Sequence, residues 1–186
     1  MRFLLRLTPT DPDRAAALEV VRGIAVSVGA KAVNPKWTSQ GALEIDIFAG
    51  TRGDFQTALA ALEPLGRIDF WRDLQDPPPP MTKAESVTEA VRLFNAERFW
   101  EAHEVLESLW RVADGEEKSL LQGLILVCAA FVHMQKEELE VALGIVKRSR
   151  TKLSEGPGTY YGISVATVRK TVQKMLDEGT LFLFKL

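Results

Sequence analysis

Hydrophobic and polar positions alternate in two different rhythms along this chain, and the change of rhythm divides it. From Arg2 to Leu7, "RFLLRL" sends Phe3, Leu5 and Leu7 to one side and Arg2, Leu4 and Arg6 to the other, the period of two of a half-buried strand. "ALEIDIF" (Ala42 to Phe48) repeats this, with Leu43, Ile45 and Ile47 opposite Glu44, Asp46 and Phe48. Between them "DPDRAAALEVVRGIAVSVGA" reads as a helix that Asp11 and Pro12 start and Gly29 ends. "AKAVNPKW" reads as an edge strand because it carries Pro35. "DFQTALAALEPLG" is a short helix stopped by Pro64 and Gly66, and "RIDFWRDL" is a last strand.

Strand, helix, strand, strand, helix, strand is the order of the ferredoxin-like split βαβ arrangement, with two helices over one face of a four-stranded antiparallel sheet. The expected open face carries Arg2 and Arg6 beside Glu44 and Asp46, with Leu4, Phe48 and Trp71. Aromatics there could stack on RNA bases, but two carboxylates in the patch repel phosphate, so nucleic acid is disfavoured. Docking of Phe48 and Trp71 on the second half, or on another copy as a homo-oligomer through the sheet face, is the better use.

Past "QDPPPPMT" the rhythm becomes helical. Consecutive prolines favour an extended spacer and continue neither helix nor sheet, which sets residues 1–75 as an α+β domain, 76–82 as linker and 83–186 as an all-α bundle. About five helices are expected there: one in 83–97 through Val87, Ala90, Val91 and Phe94, one over 98–110, and one over 116–136. A fourth runs through Leu139, Leu143, Val146 and Leu153, and a fifth has Ser164 as N-cap and Gly179 as stop. The third is apolar nearly all round from Leu120 to Met134, the mark of a central helix enclosed by others. The tail "TLFLFKL" alternates, and reads as an added strand or an extended arm.

"RFWEAHEVLESLW" (Arg98 to Trp110) carries the candidate chemistry. At ~100° per residue, His103, Glu107 and Trp110 share a face with Phe99 and Leu106, while Glu97, Glu101, Glu104, Ser108 and Arg111 point the other way. On the central helix Gln122, Leu126, Ala129 and His133 form another stripe. If the two helices face each other, His103, Glu107, Trp110, Gln122 and His133 compose one polar constellation. Three uses are open to it. A buried network would have Glu107 accept from His103 or from a donor on the central helix, with every member satisfied. A cleft would bind a small ligand, or a divalent metal on His103, Glu107 and His133. The third use is acid–base catalysis by the His–Glu pair. "HEVLE" comes near the zinc-protease pattern HExxH, but Glu107 replaces the second histidine.

Composition narrows the rest. Net charge is −2, so no general drive toward nucleic acid or anionic membrane exists, although residues 81–142 carry net −6 and 143–186 net +5. The basic end around Lys147, Arg148, Arg150 and Lys152 reads as a solvated face or a weak anion surface. Cys128 stands alone, excluding an internal disulfide framework and a cysteine zinc cluster. Arg6 and Asp11 interrupt any signal-peptide core, and no uninterrupted apolar run reaches the roughly 18–20 residues of a membrane span. A cytoplasmic protein is the expectation.

The segment "FNAERFWEAHEVLESLWR" followed by "LLQGLILVCAAFVHMQKEELEVAL" resembles the uncharacterised helical family known as domain of unknown function 309. Its hallmark His-x-x-x-Glu-x-x-Trp is matched by His103, Glu107 and Trp110, its preceding Phe, Glu and Ala by Phe99, Glu101 and Ala102. Its glutamine and later histidine on the next helix correspond to Gln122 and His133. The resemblance covers roughly residues 84–155. It implies a compact domain of about five helices with one surrounded by the rest, and it implies no activity, cofactor or enzyme class.

Overall fold

A computed structural model describes residues 1–76, 79–154 and 156–186. Pro77 and Pro78 of the proline run, and Glu155 of the "EGPG" stop, lie outside the described residues. The chain forms two compact units, Met1–Pro79 and Pro80–Leu186.

The first unit has the strands β1 (Arg2–Pro9), β2 (Lys31–Trp37), β3 (Leu43–Phe48) and β4 (Gly66–Asp73), with helices α1 (Arg14–Ser27) and α2 (Arg52–Leu62). The sheet is antiparallel in the order β2-β3-β1-β4, the ferredoxin-like topology. Phe3, Leu5, Leu7, Leu43, Ile45 and Ile47 are all fully buried with Val21, Ala25, Phe55 and Leu62 of the two helices. Alternation therefore chose the covered face correctly. On the opposite face Arg6 donates to Glu44 at 2.7 Å and Arg2 to Asp46 at 2.8 Å, so the two buried carboxylates are neutralised within the sheet. Pro35 is accommodated on edge strand β2 beside Asn34, whose φ is +54°, where the β2–β3 register shifts.

Trp71 corrects the sequence reading. Leu7 pairs with Ile68, but Arg6 pairs with Phe70, so Asp69 is an extra residue that exchanges the faces of β4. Trp71 consequently sits opposite Leu5 on the covered face, 5.2 Å from the Phe55 ring and 6.3 Å from Phe3. Phe70 takes its place on the opposite face under Arg6, a face expected to be open whose Leu4, Glu44 and Asp46 are instead buried. Phe48 is 43% exposed, with the Arg2 guanidinium over its ring. The docking role expected for both aromatics thus loses Trp71.

Two helix starts differ from those the pattern implies. Asp13, not Asp11, caps α1 by accepting from the N–H groups of Ala15 and Ala16, while Asp11 accepts from Asp13 N–H. A capping box of Thr51 and Asp54 begins α2 two residues before the expected Asp54.

The second unit contains, among the described residues, α3 (Lys83–Asn95), α4 (Phe99–Val112), α5 (Gly115–Gln135), α6 (Leu139–Leu153) and α7 (Val165–Glu178). A second capping box, Thr82 with Glu85, starts α3. Ser164 caps α7, and Gly179 at φ +65° ends it. Along α5, Leu120, Leu121, Leu124, Val127, Cys128, Ala130 and Phe131 are buried on several sides, between α4 and α6. Its length and hydropathy of 1.3 would serve a membrane span, but half of that window is buried inside the protein, as in a core helix. Gly123 permits close approach of α6: a Cβ there would stand 2.7 Å from Leu153 Cγ. The tail is an extended arm rather than a strand. Phe184 packs at 5.3 Å from Phe94 and 5.8 Å from Phe131, and Leu186 N–H donates to Asn95 Oδ1 at 3.0 Å.

Candidate functional site

The two-residue link Ala113–Asp114 forces α5 to return antiparallel along α4, and ring contacts fix the register. Phe99 lies 4.9 Å from Phe131, and Lys118 Nζ stands 4.7 Å above the Trp110 ring. Phe99, Ala102, Leu106 and Leu109 are buried and anchor α4 in the core. Beside that stripe run His103, Glu107 and Trp110, each partly buried.

The polar atoms of this stripe are not closed into a network. Among the described residues, His103 Nδ1 is buried without a hydrogen-bond partner, and so is Trp110 Nε1. Burial holds the His103 imidazole below its ordinary pKa, opposed by the negative charge of Glu107, so the ring is favoured in its neutral form. Such a ring carries one donor and one acceptor nitrogen. A buried network would have Glu107 accept from His103 or from a donor on α5. Glu107 instead accepts from Arg111 at 3.1 Å, one turn onward, with its side chain 35% exposed. A permanent cation at i+4 on the wet side of the helix outcompetes a half-buried neutral imidazole for the carboxylate.

The stripe on α5 splits. Gln122 is half-buried and makes no hydrogen bond among the described residues. The register of Phe99 with Phe131 and of Trp110 with Lys118 sets it beside the Glu107 turn. His133 lies eleven residues further, ~16 Å along the axis, where its Nδ1 meets Glu138 Oε2 at the start of α6. Of the five residues, His103, Glu107 and Trp110 share one face of α4, Gln122 lies at the level of Glu107 on α5, and His133 stands apart, paired with Glu138. The three-ligand metal arrangement loses His133, and among the described residues no group of three or more His, Cys, Asp or Glu side chains could hold a metal ion.

Two further features were not read from the sequence. Glu101, assigned to the polar side, is only 1% exposed and accepts two hydrogen bonds from Arg98, at 2.6 and 2.7 Å. Arg98 is the N-cap residue of α4, three residues before Glu101, a spacing that brings the pair together once the helix start is fixed. At the start of α5, Glu117 accepts from Lys83 at 2.8 and 2.9 Å and from the Tyr160 hydroxyl at 2.8 Å. Hydrogen bonds from Lys83 and Tyr160 lower the Glu117 carboxyl pKa, whereas burial and then Glu117 push the Tyr160 phenol well up. This trio pins the loop after α6 to α3 and α5, close behind Lys118 and Trp110 in sequence. Its members are too far apart in the chain for spacing to reveal it.

Over 95 residues the chain is 27% identical to an uncharacterised protein of Aquifex aeolicus (strain VF5), a match covering 50% of this chain. The matched stretch is 28% of that relative's length, so this chain spans a fraction of it. The half of the chain before residue 87 lies outside the family match. Residues 87–145, from within α3 to within α6 and including His103, Glu107, Trp110, Gln122 and His133, match the model of a domain of unknown function (DUF309).

Proposed function

We propose that the helical unit is a binding module for a small polar molecule lying along the α4 stripe, contacted by His103, Glu107 and Gln122 and walled by Trp110. One observation carries this: two buried polar atoms on a single helix face, His103 Nδ1 and Trp110 Nε1, lack protein partners. Each such atom costs ~1–3 kcal/mol when left unsatisfied. A ligand with an acceptor for the indole N–H and a hydrogen-bonding group for the imidazole, ~10 Å away along the helix, would remove both costs. Glu107, tied to Arg111 at the surface, is the carboxylate that can turn to meet a donor on the ligand. His133 belongs to this site only through its helix. The single buried Cys128, which forms no internal disulfide, supports the reading of a cytoplasmic protein.

A second reading has an observation of its own. Phe99, Ala102 and Leu106 of the same helix are core residues, so the motif also fixes the fold, and an interaction or scaffold protein would need it for that alone. Titrating the protein with a panel of small carboxylates, amides and amines, while following the backbone amides of α4 around His103 and Glu107 by nuclear magnetic resonance, separates the two. Binding that His103→Leu and Trp110→Phe abolish without unfolding supports the module. No saturable response to any member, with loss of folding in both variants, supports the scaffold.

A further inference from the structure

Residues 180–186 form the extended arm of the second unit, and the surface under it follows from how the helices pair. α3–α4 and α5–α6 are hairpins of one design. Glu97, at φ +58°, reverses the chain in the first, and Glu137, at φ +63°, in the second. Arg98 N–H bonds to Leu93 O at 2.9 Å and Glu138 N–H to His133 O at 3.0 Å. Ala102 N–H bonds to Arg98 O, and Ala142 N–H to Glu138 O, both at 3.0 Å. α3, α5 and then α7 are the leading helices of this array, and stacked hairpins line extended binding surfaces with such rows. The arm touches all three. Phe184 lies 5.3 Å from Phe94 of α3 and 5.8 Å from Phe131 of α5, and Lys174 Nζ of α7 stands 5.1 Å over Phe182.

The arm sits there as a bound peptide would. Phe182, Phe184 and Leu186 are half-buried, while Leu183 and Lys185 between them are exposed, the alternation of an extended chain with one face down. Asn95, the last residue of α3, clamps the far end: its Oδ1 accepts from Leu186 N–H at 3.0 Å, and its Nδ2 lies 3.5 Å from Leu186 O. Lys185 Nζ donates to Asn95 O at 2.5 Å, at the negative end of the α3 dipole. Leu181 to Phe184 make no hydrogen bond among the described residues, so side chains and the clamp hold the arm. A clamp on one peptide unit, room for alternate side chains and a carbonyl for a cation are the devices of peptide recognition. Gly179, at φ +65°, turns the chain out of α7, and Thr180 N–H still bonds to Met175 O at 3.2 Å. The arm therefore starts at a defined point and is tethered there.

We infer that the surface of the leading helices is a peptide-binding groove, and that residues 180–186 occupy it as an intramolecular ligand. The partner is an extended segment of another protein with apolar residues at every second position and a cation before the last, in the pattern Phe-x-Phe-Lys-Leu. It has to displace the arm, whose tether gives it an effective concentration of roughly millimolar order. The fraction of time the arm is open thus sets the apparent affinity. The inference does not rest on the His103 stripe or its proposed ligand.

The test titrates ¹⁵N-labelled full-length protein with a synthetic peptide of residues 180–186 bearing added N-terminal lysines for solubility, following the Phe131 amide. A control peptide has serine at both phenylalanine positions. Wild type is expected to bind the first peptide weakly but saturably, and the control not at all. Phe184→Ala and Lys185→Ser loosen the arm and are expected to tighten peptide binding, by roughly tenfold and roughly threefold. Lys185 is exposed, so its variant reads the competition even if Phe184→Ala fails to fold. Adding Asn95→Ala to Phe184→Ala is expected to reverse the gain, because with the arm loosened only the peptide still needs the clamp. His103→Leu is expected to leave binding unchanged. Three results would overturn the inference: no saturable shift in the folded loosened variants, equal binding of the serine control, or an affinity indifferent to loosening the arm. A wild-type dimer in sedimentation that Phe184→Ala dissociates would also overturn it, by assigning the groove to the arm of a second copy.

Discussion

Replacing His103 by Leu asks whether the α4 stripe serves the fold or something outside it. Leucine fills a similar volume and removes an imidazole whose Nδ1 is buried without a partner. Leaving such an atom unsatisfied costs ~1–3 kcal/mol. Part of that gain is offset because the side chain is half-buried rather than enclosed, so the helical unit should become more stable by ~1 kcal/mol. For a domain of about a hundred residues, this raises its melting midpoint by roughly 4 °C. The His103 pKa is lowered from its ordinary 6.5 by burial, so the unfolded chain binds the proton more tightly than the folded one. The wild-type contribution is complete above pH 6.5 and is lost as pH falls from there toward the folded value. His103→Leu should flatten that part of the stability–pH curve. Since the chain has two units, native-state hydrogen exchange at α5 amides such as Phe131 reports on the helical unit where a single denaturation curve would not. A loss of 1 kcal/mol or more, with the acid slope intact, would refute the reasoning, because it would mean that the ring is satisfied inside the protein. Gain of stability on removing a residue is the pattern of a site held ready for function.

Four other outcomes follow from the packing. Gly123→Ala places a Cβ 2.7 Å from Leu153 Cγ and 3.2 Å from its backbone nitrogen, and should destabilise the helical unit by ~1–3 kcal/mol in the same exchange measurement. Glu101→Gln leaves Arg98 beside a buried neutral amide; a loss of ~3 kcal/mol is expected, read as faster native-state exchange at α5 amides. Phe184→Ala removes ring contacts with Phe94 and Phe131 and should cost ~2 kcal/mol, read as faster exchange at the C-terminal end of α5. Cys128 is fully buried with its thiol pushed up to about 12, so it should resist a disulfide reagent at pH 8 until urea unfolds the chain.

What the sequence made legible follows the physics of each signal. Period-two alternation places Phe3, Leu5, Leu7, Leu43, Ile45 and Ile47 correctly because a strand buried on one face offers no other register. The same argument fails at Trp71, since a single bulged residue at Asp69 reverses the faces and leaves no mark in the pattern. Continuous apolarity identifies α5 as the central helix, and Gly179 with Ser164 bounds α7. At the site, helical projection puts His103, Glu107 and Trp110 on one side of α4, but it cannot choose between two partners for Glu107, each one turn away. Arg111 won that competition through charge. Projection likewise placed Gln122 and His133 on one stripe without converting eleven residues into an axial distance beyond the reach of a shared ligand. Glu101 was assigned to water by the angle of its helix position, and the bidentate Arg98 is what makes its burial tolerable.

The central claim is that the inward polar atoms of the α4 stripe await something other than protein. The most direct measurement is a crystal structure, refined with ordered solvent, of full-length protein that has been incubated with the panel member binding it best. The account predicts non-solvent density within hydrogen-bond distance of both His103 Nδ1 and Trp110 Nε1. Protein groups, or only isolated waters, at those two atoms would contradict it.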